Sequence, residues 1–249
     1  MNRILLVALA LLIVTRAGAA QPHTMRVDYY HTGNATEERF SLDRVVIEPL
    51  AWPGNPAKPL DDTNRGKYFF EVVDATSGRA LYSRGFASIY GEWETTEEAK
   101  KISRTFSESL RFPAIDKPAR IVVKKRDAKN QFQPVWTLTV DPADKFIEPG
   151  AAKVDPGALV KLHEAGDPAT KLDFLILGDG YTAAELSKFE KDARRLTEIL
   201  FSTSPFKEHR ADFNVWALCH ASPESGISRP STGIHHRQTV SAGYRLRRC

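Results

Sequence analysis

From Met25 to about Pro142 apolar residues tend to alternate with polar ones, interrupted by glycine, proline and Asp/Asn clusters. Successive side chains of a strand face opposite sides, so this pattern predicts half-buried antiparallel strands. "MRVDYYHTG" alternates and stops at Gly33, and "RFSLDRVVIEPLAWPG" is a second strand region closed by proline and glycine. "GKYFFEVVDATSGRALYSRGFASIYGEW" predicts a hairpin with arms Lys67–Val73 and Ala80–Ile89 about a turn at Asp74–Gly78. "RTFSESLRFPA" alternates again, a last hairpin turns at Asp127–Asn130, and a short helix is expected near Thr95–Lys101. Together these predict an antiparallel β-sandwich over residues 21–142.

Residues 143–171 are rich in proline and glycine and read as a linker, with one short element around Gly157–Leu162. The period then changes. Leu172–Leu177 is an apolar run broken only by Asp173, the pattern of a strand buried on both faces. It stops at Gly178-Asp179-Gly180, and Thr182 stands three residues before Glu185, a capping-box spacing. Leu186, Phe189, Ala193, Leu196 and Leu200 form one stripe of a helix running to about Phe201. "DFNVWALCHAS" reads as a second buried strand. Strand, helix, strand predicts a parallel unit. One such unit cannot cover both faces of its own sheet, so 172–234 reads as an incomplete α/β piece. The fold class is mostly β plus partial α/β.

Charge changes this picture only at the ends. The formal net charge is +4, yet Arg3, Arg16, Arg237, Arg245, Arg247 and Arg248 lie in the first twenty and last fifteen residues. Without those six, 29 Lys and Arg face 31 Asp and Glu, which gives no electrostatic case for nucleic-acid binding. Residues 1–20 combine Arg3, an eleven-residue apolar run from Ile4 to Val14 and the small residues Ala17–Ala20. That is the layout of a signal peptide cleaved after Ala19 or Ala20, with no stable membrane anchor left behind and a secreted or periplasmic destination. An exported chain can oxidise its two cysteines, Cys219 and Cys249; a free, buried Cys219 is the simpler reading, and pairing stays open.

Candidate chemistry centres on Asp179 and Tyr181. Ligands in open α/β sheets bind at the carboxyl ends of strands, and a helix N-terminus adds a positive dipole end there. The same Asp between two glycines also suits a plain turn. Glu224 and Ser225, in "SPESGIS", are candidate pocket-lining residues, although the Gly-x-Ser-x-Gly elbow is missing and loop polarity explains them as well. A zinc peptidase helix of the commonest kind needs His-Glu-x-x-His, which puts two imidazoles on one face. His163-Glu164-Ala165-Gly166-Asp167 ends in Asp and runs into Gly-Asp-Pro, which breaks a helix. His235-His236 are neighbours whose side chains point apart, and His31, His209 and His220 lack ligand-spaced partners. No catalytic residue, metal ligand or cofactor is identifiable in the sequence. The aromatics Trp52, Tyr68, Phe69, Phe70, Tyr90 and Trp93 fit sandwich-core packing better than a binding face.

"ILGDGYTAAELSKFEKDA", "SPFKEHRADFNVWAL" and "SPESGI" resemble the opening of the catalytic domain of the IgA-peptidase family of secreted zinc metallopeptidases. "YSRGFASIYGEWETTEEA" and "RTFSESLRFP" resemble that family's N-terminal β-sandwich domain. The resemblance implies a secreted zinc endopeptidase acting on protein substrates, with its His-Glu-x-x-His helix C-terminal to the Glu224-Ser225-Gly226 loop. No residue here matches that helix. The chain therefore reads as a family member truncated before the zinc helix and catalytically incomplete as encoded. Residues 235–249, short, Arg-rich and acid-free, read as an aberrant or disordered tail. Two alternatives stay open: a secreted non-catalytic β-sandwich binding module, and a small α/β enzyme using Asp179.

Overall fold

The computed structural model describes residues 22–150, 159–229 and 232–236; the expected signal peptide and most of the tail lie outside them. In chain order the strands are β1 (His23–Gly33), β2 (Glu38–Ala51), β3 (Tyr68–Asp74), β4 (Ala80–Phe86), β5 (Arg104–Pro113), β6 (Ala119–Arg126), β7 (Phe132–Val140), β8 (Ile147–Pro149), β9 (Val160–His163), β10 (Leu172–Gly178) and β11 (Phe213–Cys219). The helices are α1 (Ile89–Trp93) and α2 (Leu186–Ser202).

The alternating region forms two four-stranded sheets, ordered β5-β1-β2-β8 and β4-β3-β6-β7. Their inward residues share one core. Met25, Val27 and Tyr29 of β1 and Leu110 and Phe112 of β5 meet Tyr68, Phe70 and Val72 of β3 and Ile121 and Val123 of β6. A one-residue slip of β1 against β5 would turn that set to solvent, so the hydrophobic pattern itself holds the register. The predicted turn between β3 and β4 forms because Asp74 Oδ1 accepts the backbone N–H of Thr76 and Ser77, and Gly78 takes φ +73°.

Two expectations shift here. The second hairpin arm ends at Phe86 rather than Ile89, because Ser88 caps α1 by accepting the Gly91 N–H at 2.9 Å. The helix expected at Thr95–Lys101 lies at Ile89–Trp93 instead, and the later stretch is turn. The described parts of 143–171, expected to be a linker, include two short strands. β8 pairs with β2 in parallel, and β9 pairs with β11 antiparallel.

The strand–helix–strand reading holds. β10 and β11 are parallel, with α2 between them in sequence. The sheet order is β10-β11-β9. Phe189 and Ala193 of α2 pack on Ala217 and Cys219 of β11, with Val160, Leu162 and Ile176 at the margin. The buried stripe runs Phe189, Ala193, Thr197 and Phe201, spaced by four; Leu196, expected in it, is half exposed. Thr197 is tolerated inside because its hydroxyl donates to the Ala193 carbonyl at 2.9 Å. The prediction that β10 is buried on both faces is wrong. Leu172, Phe174, Leu175 and Leu177 are 42–64% exposed, because β10 is the edge strand and α2 seats over β11 and β9. β11, the middle strand, carries the burial: Val215 and Ala217 are wholly covered.

Candidate functional site

Two loops meet where the parallel strands end. The loop after β10 brings Asp179, Gly180 and Tyr181 to the start of α2; the loop after β11 brings Ser222 to Gly226. They are stitched by backbone bonds, Ser222 N–H to the Tyr181 carbonyl and Gly226 N–H to the Gly180 carbonyl, each 2.7 Å. Ser222, almost fully buried, adds its Oγ as acceptor for the Gly180 N–H at 3.1 Å. Gly180 has φ +74°, and a Cβ there would stand 2.4 Å from the Gly226 carbonyl oxygen. Only glycine fits that approach.

The four residues singled out from sequence are thus brought together, but most of their polar atoms are turned to structural partners. The Tyr181 hydroxyl donates to Asp192 of α2 at 3.1 Å, and its ring meets Phe189 edge-on at 5.4 Å. Burial, with the Asp192 carboxylate beside it, raises the Tyr181 pKa. The Ser225 hydroxyl donates to Glu185 Oε1 at 2.9 Å, while Glu185 Oε2 accepts the Thr182 N–H at 2.9 Å. The capping box therefore forms, and it also ties the second loop to the helix start. The Thr182 backbone bond, then the Thr182 and Ser225 hydroxyls, hold the Glu185 carboxyl below its ordinary range. Glu224 Oε2 lies 3.6 Å from His236 Nδ1, an ion pair whenever that histidine is protonated. Asp179 stands near the buried Cys219, and burial followed by that carboxylate raises the thiol's pKa. Cys219 is free and buried; Cys249 lies outside the described residues.

His163, Glu164 and Asp167 do not converge on a common point. His163 ends β9, its Nε2 3.1 Å from the Arg210 carbonyl and its ring against Phe201. Glu164 pairs with Lys161, and Asp167 turns back to the Ala169 N–H at 2.8 Å. Among the described residues no group of three or more His, Cys, Asp or Glu converges as metal ligands would. This donor set gives no support to a metal centre in the described part of the chain.

Sequence reasoning missed Asn214, which explains why the His163–Asp167 stretch is a loop. Asn214 lies on β11, only 1% exposed. Its Oδ1 accepts the Ala165 and Gly166 N–H groups at 2.8 and 3.1 Å, and its Nδ2 donates to the Gly166 carbonyl and to Asp173 Oδ1, both at 2.9 Å. The signal was available: a single amide inside an otherwise apolar central strand has to find partners or not be there.

Both parts of the chain match models of peptidase domains, so the protein is peptidase-related. A model of the peptidase M64 N-terminus matches residues 18–137, covering most of the sandwich. A model of IgA peptidase M64 matches residues 160–247, covering β9 to β11 and running through most of the Arg-rich stretch that the sequence reading set apart. The chain belongs to the IgA peptidase M64 family. No curated protein matches it.

Proposed function

We propose that this chain is the exported N-terminal portion of a zinc metallopeptidase-like protein, whose sandwich and first strand–helix–strand unit hold loops that face a protein substrate. Support for a peptidase role comes from the two family matches. The observation that carries the site is the pair of loops bonded at the carboxyl ends of β10 and β11, the place where open α/β sheets present ligands. Export, to the outside or the periplasm, is supported by Arg3, the apolar run and the small residues before Gln21. The sequence holds no His-Glu-x-x-His, and His163, Glu164 and Asp167 are committed elsewhere. On this reading the chain alone binds no stoichiometric zinc and cleaves no protein. The sandwich core, closed on itself, favours one alternative, a non-catalytic binding module.

The test uses protein recovered from the exported fraction. Its first residue should be Ala20 or Gln21, and elemental analysis and protein digestion should both be negative. One tightly held zinc per chain, lost in His163→Ala, would overturn the metal reading. A retained Met1 in a membrane fraction would overturn export.

A further inference from the structure

His31 is fully buried on β1 and plays no part in the loop pair. Its ring lies between Phe40, 4.1 Å centroid to centroid, and Tyr90 of α1 at 3.8 Å. Nδ1 stands 3.1 Å from Glu108 Oε2 on β5, and Nε2 stands 3.0 Å from Glu38 Oε2 on β2. A neutral imidazole has one N–H and one lone pair. One of these two contacts would then set a lone pair against a carboxylate oxygen. Each carboxylate oxygen already accepts a phenol: Tyr29 donates to Glu108 at 2.9 Å and Tyr68 to Glu38 at 2.8 Å. With Glu38 and Glu108 ionised, both ring contacts are hydrogen bonds only when both nitrogens carry protons.

The charges around the ring lead to the same place. Glu38 on β2, Glu108 on β5 and Glu94 just after α1 are the acids. Lys125 on β6 lies 3.0 Å from both Glu38 and Glu94, and Lys67, just before β3, pairs with Glu94. Two lysines against three carboxylates leave one buried negative charge, and an imidazolium cancels it. Such a charge is costly to leave unpaired. Tyr90, stacked on the ring, shares its one hydroxyl proton between the Asn34 and Glu37 carbonyls, each 2.8 Å away, so the turn between β1 and β2 depends on the same stack.

We propose that His31 is held as an imidazolium and acts as a proton-operated clasp, joining both sheets of the sandwich, α1 and the 34–37 turn while the proton is present and loosening α1 and that turn when it leaves. Burial alone would lower the His31 pKa; the bonds to Glu108 and Glu38 outweigh it and place it above the ordinary 6.5. Burial would raise Glu38, but His31, Tyr68 and Lys125 bring it to about 2, and Glu108 is lowered as well. Because the histidine is raised, its contribution is complete below 6.5 and is lost as pH climbs through the folded value. Because the carboxylates are lowered, theirs is present above the ordinary 4.5 and is lost toward acid. The clasp is complete between those limits.

The experiment follows the imidazole nitrogens of the full ¹⁵N-labelled chain by NMR from about pH 5 to 9. At pH 6 both His31 nitrogens should be of the protonated type, with a midpoint above 6.5. Glu108→Gln should lower that midpoint by about one unit or more, a tenfold loss of proton affinity. The thermal midpoint of the sandwich should fall as pH passes the His31 midpoint, and His31→Gln should flatten that part of the profile. A neutral His31 tautomer at pH 6 would overturn the proposal, and so would an unchanged pH profile in a folded His31→Gln. Where either variant fails to fold, the wild-type titration decides alone.

Discussion

Replacing Asn214 with alanine should loosen the β9–β11 piece without touching the sandwich. The amide makes four hydrogen bonds, two to backbone N–H groups, one to a backbone carbonyl and one to the Asp173 carboxylate. A neutral bond contributes about 1 kcal/mol net, and one to a charged group about 1.5–3 kcal/mol. The simple total is roughly 5 kcal/mol, but Gly166 and Asp173 lie at the surface, where water replaces much of what is lost. The buried face of Ala165 and the cavity left at Asn214 are not rescued that way. A loss of about 2–3 kcal/mol is expected, confined to the C-terminal unit. Chemical denaturation followed at Trp216, alongside amide exchange at Ala165 and Gly166, reads it directly. Exchange at those two amides should accelerate by roughly 30- to 150-fold, while Val27 and Ile121 stay protected. A change under about 0.5 kcal/mol would refute the claim that this amide organises the loop. So would faster exchange spread evenly over both parts of the chain.

Gly180→Ala should cost about 1–3 kcal/mol, because it adds a positive-φ penalty to a Cβ set against the Gly226 carbonyl; full stability in a melting experiment would mean the loops are not paired as described. Ile121→Ala, at a site with no exposure, should cost about 2–5 kcal/mol, whereas Leu177→Ala, at 64% exposure, should cost well under half of that; equal losses on denaturation would show that β10 is covered in solution.

The sandwich was legible because its strands announce themselves twice, by period-two burial and by turn chemistry such as Asp74 bonding Thr76 and Ser77 ahead of Gly78. The strand–helix–strand order was legible from the capping spacing of Thr182 and Glu185. Burial of β10 was not. A mostly apolar run says a strand prefers cover, but cover depends on which neighbours are present, and here β11 and β9 take the helix. The stripe on α2 erred by one position for a related reason: Thr197 can go inside only by bonding its own helix, which its residue type does not announce. The His31 cluster was invisible because Glu38, Tyr68, Tyr90, Glu108 and Lys125 are spread over the whole sandwich sequence, and only strand pairing gathers them. Of the candidate site, the loop pairing was unreadable for the same reason; the four named residues lie on the two loops that it joins.

The order of strands in the C-terminal sheet also bears on the sequence of events as the chain is made. β9 and β10 leave the ribosome first, yet neither pairs with the other; both wait for β11, which arrives last and lies between them. Until Phe213–Cys219 emerges, the unit has a helix and two separate apolar segments but no ladder at all. Both closures then happen around one strand, each across a long loop, and the chain entropy of forming the first makes the second cheaper. Assembly of this unit should therefore be abrupt and wait on β11. A chain ending before Phe213 would hold no pairing among β9, β10 and β11, and one that includes Cys219 can form both pairings.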